Sequence, residues 1–337
     1  MSHSNIAIFI PHKGCPHACS FCDQKSISGE QKQVTPLDVR RELAEAFRRP
    51  LDEKNTEIAF FGGSFTCIPR KEMEAFLEEA APYVQAGKAS GIRISTRPDG
   101  ISEEILDVLK RYGVRSIELG AQSLDDSVLR LNRRGHTAAQ VEKASSLIRE
   151  YGFSLGLQMM AGLYGDRKES LYETVEKIIA LKPDTVRIYP TVVIEGTYLD
   201  ELRRKGLYSP LPLQRAVELC APLLCRFEQS GIRVIRMGLH ASETLERRRT
   251  GGAYHPAFRE LCESFLKRRQ LEDKLRQFPA GSEILVRVPA SELSKTIGQK
   301  KANIIWAEQM GYRLTVRSDQ SVKKGELKAE LLPSQTL

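Results

Sequence analysis

No run in this chain approaches the roughly 20 consecutive apolar residues that a membrane-spanning helix needs. The first residues also lack the basic stretch and long apolar run of a secretory signal. No internal repeat and no low-complexity tract interrupts the 337 residues, which speaks against solenoid and fibrous architectures. Paired cysteine spacings are missing too, since Cys67, Cys220, Cys225 and Cys262 are scattered. A disulfide-stapled secreted domain is therefore not expected; a cytoplasmic protein with no membrane partner is. What remains is an ordinary globular composition, 41% hydrophobic and 28% charged, long enough for one large and one small domain. The net charge of +8 suits an anionic partner, nucleic acid first among them.

Between residues 4 and 236, apolar β-rich runs alternate with helix-length segments. Strands are expected at Asn5–Ile10, Glu57–Phe61, Gly91–Ser95, Ser116–Leu119, Ser154–Met160, Thr185–Tyr189 and Arg233–Arg236. Such an order reads as repeated βα units around a parallel sheet, an α/β fold. Leu37, Val39, Leu43, Ala46 and Phe47 share one helical face, and Met73, Phe76, Leu77 and Ala80 another. Thr35-Pro36 reads as an N-cap followed by a first-turn proline. The division expected is a barrel domain over 1–240, a helical connector over 241–280 and a small unit over 281–337 that frays after Val322.

In parallel βα folds, ligands gather at the carboxyl ends of the strands. The unusual residues of this chain fall there. Cys15-Pro-His-Ala-Cys19-Ser-Phe-Cys22 follows the first strand, Gly62-Gly63 the second and Ser95-Thr96-Arg97-Pro98-Asp99 the third. Gln122 follows the fourth strand, Gln158 to Gly162 closes the fifth and Tyr189-Pro190 the sixth. Three thiolates in one loop can hold three corners of a four-iron cluster. They leave the fourth iron without a protein ligand, whereas clusters that only carry electrons usually take four cysteines. A zinc site completed by His12 or His17 is an alternative that spacing alone leaves open.

Seven motifs occur in a fixed order: Cys-Pro-His-Ala-Cys-Ser-Phe-Cys, Phe-Phe-Gly-Gly-Ser-Phe, Ser-Thr-Arg-Pro-Asp, Glu-Leu-Gly-Ala-Gln-Ser, Arg-Arg-Gly-His-Thr, Gln-Met-Met-Ala-Gly-Leu and Arg-Ile-Tyr-Pro-Thr. Together, over residues 5–200, they resemble the radical S-adenosylmethionine (SAM) half of the Elongator catalytic subunit, which modifies the wobble uridine of tRNA. Their order is shared more loosely with oxygen-independent coproporphyrinogen oxidases. The resemblance implies a partial (β/α)6 barrel of TIM type. It also implies a 4Fe–4S cluster on Cys15, Cys19 and Cys22, with SAM chelating the open iron. Contacts to SAM are implied near Gly62, Gly63, Ser95, Gln122, Arg134 and Gln158. Phe21 would lie against the adenine, and Arg134 would pair with the SAM carboxylate. Where many radical SAM proteins carry an acidic residue after the two glycines, this chain has Ser64.

Residues 283–317 resemble the core of a KH domain, whose G-x-x-G turn clamps single-stranded RNA. Here the turn reads Gly298-Gln299-Lys300-Lys301, with lysine in place of the second glycine. After the barrel no phosphate-cradling glycine loop is found, so acetyl-CoA chemistry is not expected from this segment. The reading that results is a cytoplasmic radical SAM enzyme that generates a 5′-deoxyadenosyl radical and acts on RNA, tRNA in particular. Its electron donor would be a flavodoxin or ferredoxin. The rivals are a metabolite-modifying radical SAM oxidoreductase and a non-catalytic iron–sulfur RNA-binding protein.

Overall fold

A computed structural model describes residues 4–10, 13–15, 19–23 and 34–332. His12 and His17, the alternative zinc ligands, lie outside the described residues. Strands β1 (Ser4–Phe9), β2 (Thr56–Phe61), β3 (Gly91–Thr96), β4 (Val114–Gln122), β5 (Ser154–Ala161) and β6 (Thr185–Pro190) come first. A short β7 (Val192–Ile194) precedes β8 (Arg233–Met237). One seven-stranded sheet runs β1-β2-β3-β4-β5-β6-β8, every neighbour parallel. Each strand adds to the edge left by the last, so the sheet has no topological reversal. That is the order of a curled half-barrel, not of a doubly wound sheet.

Alternation along the strands decides which side faces the helices. Ile58, Phe60, Ile92, Ile94, Ile117 and Leu119 are all essentially inaccessible and form the outer, helix-covered face. Met73, Phe76, Leu77 and Ala80, on the helix Arg70–Gln85, have no exposure either. Each of the larger of these side chains contributes about 1.5–3 kcal/mol by leaving water. The first helix, Pro36–Ala46, starts at Thr35 with a full capping box to Asp38. Its buried residues are Val39 and Leu43, whereas Leu37 is half exposed and lies off the face expected for it.

The inner face is polar. Glu57, Arg93, Ser95, Glu118, Gln158, Arg187 and Arg236 stand on one side of the sheet by register. Arg93 donates to Glu57 at 2.7 Å and to Glu118 at 3.1 Å. Glu118 also accepts from Arg187 at 2.8 Å and from the Gln158 amide at 3.0 Å. Ser116 closes the network on Glu57 at 2.7 Å. Buried charges persist only when paired and hydrogen-bonded, and these are.

Two compact units divide the chain: 1–216 with 226–256, and 217–225 with 257–337. The stretch expected as a connector is thus shared between them. Its first part forms β9 (Arg249–Gly252), antiparallel to β7. The second unit holds the helix Phe258–Leu275, then β10 (Glu283–Val288), helices Leu293–Ile297 and Ala302–Gln309, and β11 (Arg313–Ser318). β11 pairs parallel to β10. The tail does not fray at Val322: β12 (Lys328–Leu331) pairs antiparallel to the other edge of β10. Leu327 is buried there and Ala329 packs on the same apolar cluster as Ile284, Val286 and Leu271, which explains why the segment orders. Among the described residues no helix is long and apolar enough to cross a membrane.

Candidate functional site

The cysteine loop is tied down by residues far away in sequence. The backbone N–H of Cys22 donates to the Cys19 carbonyl at 3.1 Å, which makes a tight turn. Ser20, inside that turn and fully buried, donates through its hydroxyl to Asn132 Oδ1 at 2.7 Å, and its N–H donates to the Asn132 carbonyl at 3.1 Å. Asn132 in turn donates to the carbonyls of Val128 and Tyr164 at 2.8 and 2.9 Å. The Ser20 carbonyl accepts from Leu199 at 2.7 Å. Neither Ser20 nor Asn132 is a site residue by sequence reading. No sequence pattern marks them; only the buried hydrogen bonds that join them do.

Arg134 reaches this loop directly. Its Nη1 donates to Cys19 Sγ at 3.1 Å and its Nη2 to the Gly120 carbonyl at 2.5 Å. The guanidinium lies 5.9 Å from the centroid of the Phe21 ring. Phe21 is buried with Met160, Leu163, Val128 and Tyr208, and Cys19 and Cys22 pack on that cluster. Desolvation and the Cys19 thiol push the Cys15 thiol up, while the positive charges of Arg97 and Arg134 favour its thiolate. Arg97 is held by Asp99 at 2.9 and 3.0 Å and donates to the Arg134 carbonyl at 2.6 Å.

Three buried polar atoms around the end of β4 have no hydrogen-bond partner among the described residues: Gln122 Oε1, Arg134 Nε and His136 Nδ1. Gln122 is also held at φ 65°, which a non-glycine residue adopts at a cost in strain. Orphaned atoms and strain concentrated at one strand end mark a place built for a ligand. His136, its Nε2 against the Ala121 carbonyl at 3.2 Å, is pushed down to about 4 by burial and by Arg134. It is therefore neutral near pH 7.

The other expected residues divide differently. Gly62 and Gly63 approach the segment leading into the cysteine loop. A Cβ on Gly63 would sit 2.2 Å from the Lys13 carbonyl oxygen, and the N–H of Ser64 donates to that same carbonyl at 2.9 Å. Their lack of side chains is thus already required by this packing. Ser64 is buried, its hydroxyl between Thr96 Oγ1 at 3.1 Å and Cys67 Sγ at 3.3 Å, with Arg97 N–H donating to it at 3.2 Å. Ser95 and Gln158 meet each other at 3.4 Å on the polar inner face, beside Glu118, not at the cysteine loop. No disulfide joins the described cysteines, and among the described residues no three Cys, His, Asp or Glu side chains are gathered as a metal-ligand set. Ligation itself supplies the energy that draws such a loop closed. Three thiols, nearby guanidinium groups, an unpaired amide oxygen and an unpaired guanidinium nitrogen fit a cluster carrying a zwitterionic cosubstrate.

A parallel half-barrel with a three-cysteine loop and orphaned polar atoms at the carboxyl ends of its strands defines an enzyme that works on a ligand at the barrel mouth. The chain belongs to the radical SAM superfamily, whose family model matches residues 9–178; the Radical_SAM C-terminal domain model follows over 183–268. Its cofactors are accordingly a 4Fe–4S cluster and SAM. A tRNA uridine(34) acetyltransferase of Methanocaldococcus jannaschii is 33% identical over 256 residues, 64% of this chain and 47% of that protein. Elongator complex protein 3 of Homo sapiens is 31% identical over 188 residues, 50% of this chain and 34% of that protein. The chain thus spans about half or less of the length of these relatives. Among solved structures, Elp3 of Methanocaldococcus infernus superposes with a TM-score of 0.66 at 22% identity, over 80% of this chain and 64% of that one. Coproporphyrinogen III oxidase of Escherichia coli gives 0.50 at 19% identity, over 68% and 53%. Both likenesses are of fold.

Proposed function

We propose that this radical SAM enzyme modifies RNA, with tRNA as its substrate. The observation that carries the reading is the similarity, over 61–64% of this chain, to curated proteins named for action on tRNA uridine(34). The positive balance of the chain and the exposed Lys300 and Lys301 support it. Both lysines take left-handed backbone, φ 52° and 61°, where the KH-like pattern has its turn. In this reading Cys15, Cys19 and Cys22 hold the cluster. Arg134, Gln122 and Phe21 line the SAM site beside them, and Gly62, Gly63, Ser95 and Gln158 complete its wall. When bound and reduced by a donor, the cluster held by these thiolates would supply the electron for reductive cleavage of SAM. The protein's part is to hold the thiolates, to place positive charge beside them and to keep water from the mouth. A flavodoxin- or ferredoxin-type donor and a cytoplasmic setting suit cysteines without disulfides and an oxygen-sensitive cluster.

The test is a comparison of tRNA nucleosides from cells with and without this protein, alongside binding of a tRNA transcript to the reconstituted enzyme. The expected result is one altered nucleoside and an affinity that falls steeply as salt rises. Unchanged nucleosides with salt-insensitive or absent RNA binding would instead favour a metabolite substrate.

A further inference from the structure

The inner-face charges alternate in sign across the sheet and then fail to close. Arg93 lies between Glu57 and Glu118, and Glu118 lies between Arg93 and Arg187. The next position in register is Arg236 on β8, directly beside Arg187. Among the described residues no carboxylate pairs with it. Its Nε donates to the Gly238 carbonyl at 3.0 Å, two residues along the same chain, and among the described residues its terminal nitrogens meet no acceptor. Arg236 is only partly exposed, and a guanidinium held away from water needs a counter-charge.

The groups facing it sharpen the imbalance. Arg187 and Tyr189 stand on the neighbouring strand, Tyr189 hydrogen-bonded to Arg187. His240 follows β8 and is pushed down to about 4 by desolvation, by Arg236 and by Arg187. Glu118 is already shared between Arg93 and Arg187. Position gives the cation a use. β8 and β1 are the two edges of the sheet, and the cysteine loop follows β1. Arg236 lies near the carboxyl end of its edge strand, the end of the sheet at which the cysteine loop follows the opposite edge strand.

We propose that Arg236, with Tyr189 and His240 around it, is a subsite for an anionic group of the substrate, a phosphate where the substrate is RNA. This deepens the RNA reading and rests on it for the phosphate alone. The planar fork of an arginine recognises a phosphate or carboxylate through paired N–H donors. Bound there, such a group would hold the reacting part of the substrate over the strand ends between β8 and the cysteine loop.

The test uses the anaerobically reconstituted holoenzyme, wild type, Arg236→Gln and Arg236→Lys, with inorganic phosphate and an unmodified tRNA transcript as probes. At constant ionic strength, phosphate is expected to raise the melting temperature of the wild type and of Arg236→Lys, and to leave Arg236→Gln unmoved. The transcript is expected to bind Arg236→Gln about tenfold more weakly, with the slope of log affinity against log salt reduced by about one. A phosphate shift that survives in Arg236→Gln overturns the subsite, whatever tRNA does. A wild type that responds to phosphate through Arg236 but binds no tRNA keeps the subsite and removes the RNA reading. Loss of SAM affinity in Arg236→Gln would identify the anion as the SAM carboxylate and overturn the proposal. Should Arg236→Gln not fold, mass-spectrometric mapping of phenylglyoxal modification decides on the wild type: phosphate protects Arg236 if the subsite exists, and leaves it reactive if not.

Discussion

Cys19→Ala is expected to abolish both iron loading and SAM cleavage. Anaerobic reconstitution of the wild type should load about four irons per chain, the content of one 4Fe–4S cluster; the variant should load almost none and release no 5′-deoxyadenosine on reduction. The effect should be total because three thiolates are already the minimum the loop offers. Cys19 is also the thiol that Arg134 reaches, and it opens the turn that Cys22 closes. Iron analysis, the visible absorption of the cluster and chromatography of the nucleoside product check the outcome. Cys225→Ala, outside the loop, should load like the wild type. Cleavage that persists in Cys19→Ala would refute the assignment.

The second large effect is on stability. Glu118→Ala should destabilise the fold by about 3–5 kcal/mol, the cost of breaking a buried charge pair by removing one partner. Glu118 is 1% exposed and serves Arg93, Arg187 and Gln158 together. Arg93 would keep Glu57, but Arg187 has no other carboxylate among the described residues. Replacing both Glu118 and Arg187 with methionine should recover much of the loss, because the charge orphaned by removing Glu118 is then gone as well. Urea denaturation followed by circular dichroism measures both variants. A loss below about 1 kcal/mol in Glu118→Ala would mean that the inner face is wet and screened, as at exposed pairs.

The strands were legible in the sequence because most are short apolar runs whose outer face carries Ile, Phe, Leu or Val at every second position. The same alternation held the inner ladder in view. Arg93-Ile94-Ser95, Ser116-Ile117-Glu118 and Arg187-Ile188-Tyr189 all place an isoleucine between two polar residues. It passed unread because a parallel strand buried on both sides is expected to be apolar throughout. What could not be read was whatever depends on partners remote in sequence. Arg249–Gly252 becomes a strand only because β7 lies beside it, and Lys328–Leu331 only because β10 has a free edge.

The site divides in the same way. The cysteine spacing was visible, since three thiols within eight residues form a local pattern. The bond from Arg134 to Cys19, 115 residues apart in sequence, was not. Nor was the reason for Gly63, which lies in the passage of Lys13 beside it and so in how β1 pairs with β2. Ser20 and Asn132 carry no chemical signature at all. Their role appears only when the buried hydrogen bonds of the turn are followed to their ends.

The central claim is that the cysteine loop holds a four-iron cluster with one iron open to SAM. Low-temperature electron paramagnetic resonance of the anaerobically reconstituted, reduced protein tests it most directly. The account predicts a signal from a reduced 4Fe–4S centre whose g values change on adding SAM. Zinc in the loop, or an iron signal that added SAM leaves unaltered, would contradict it.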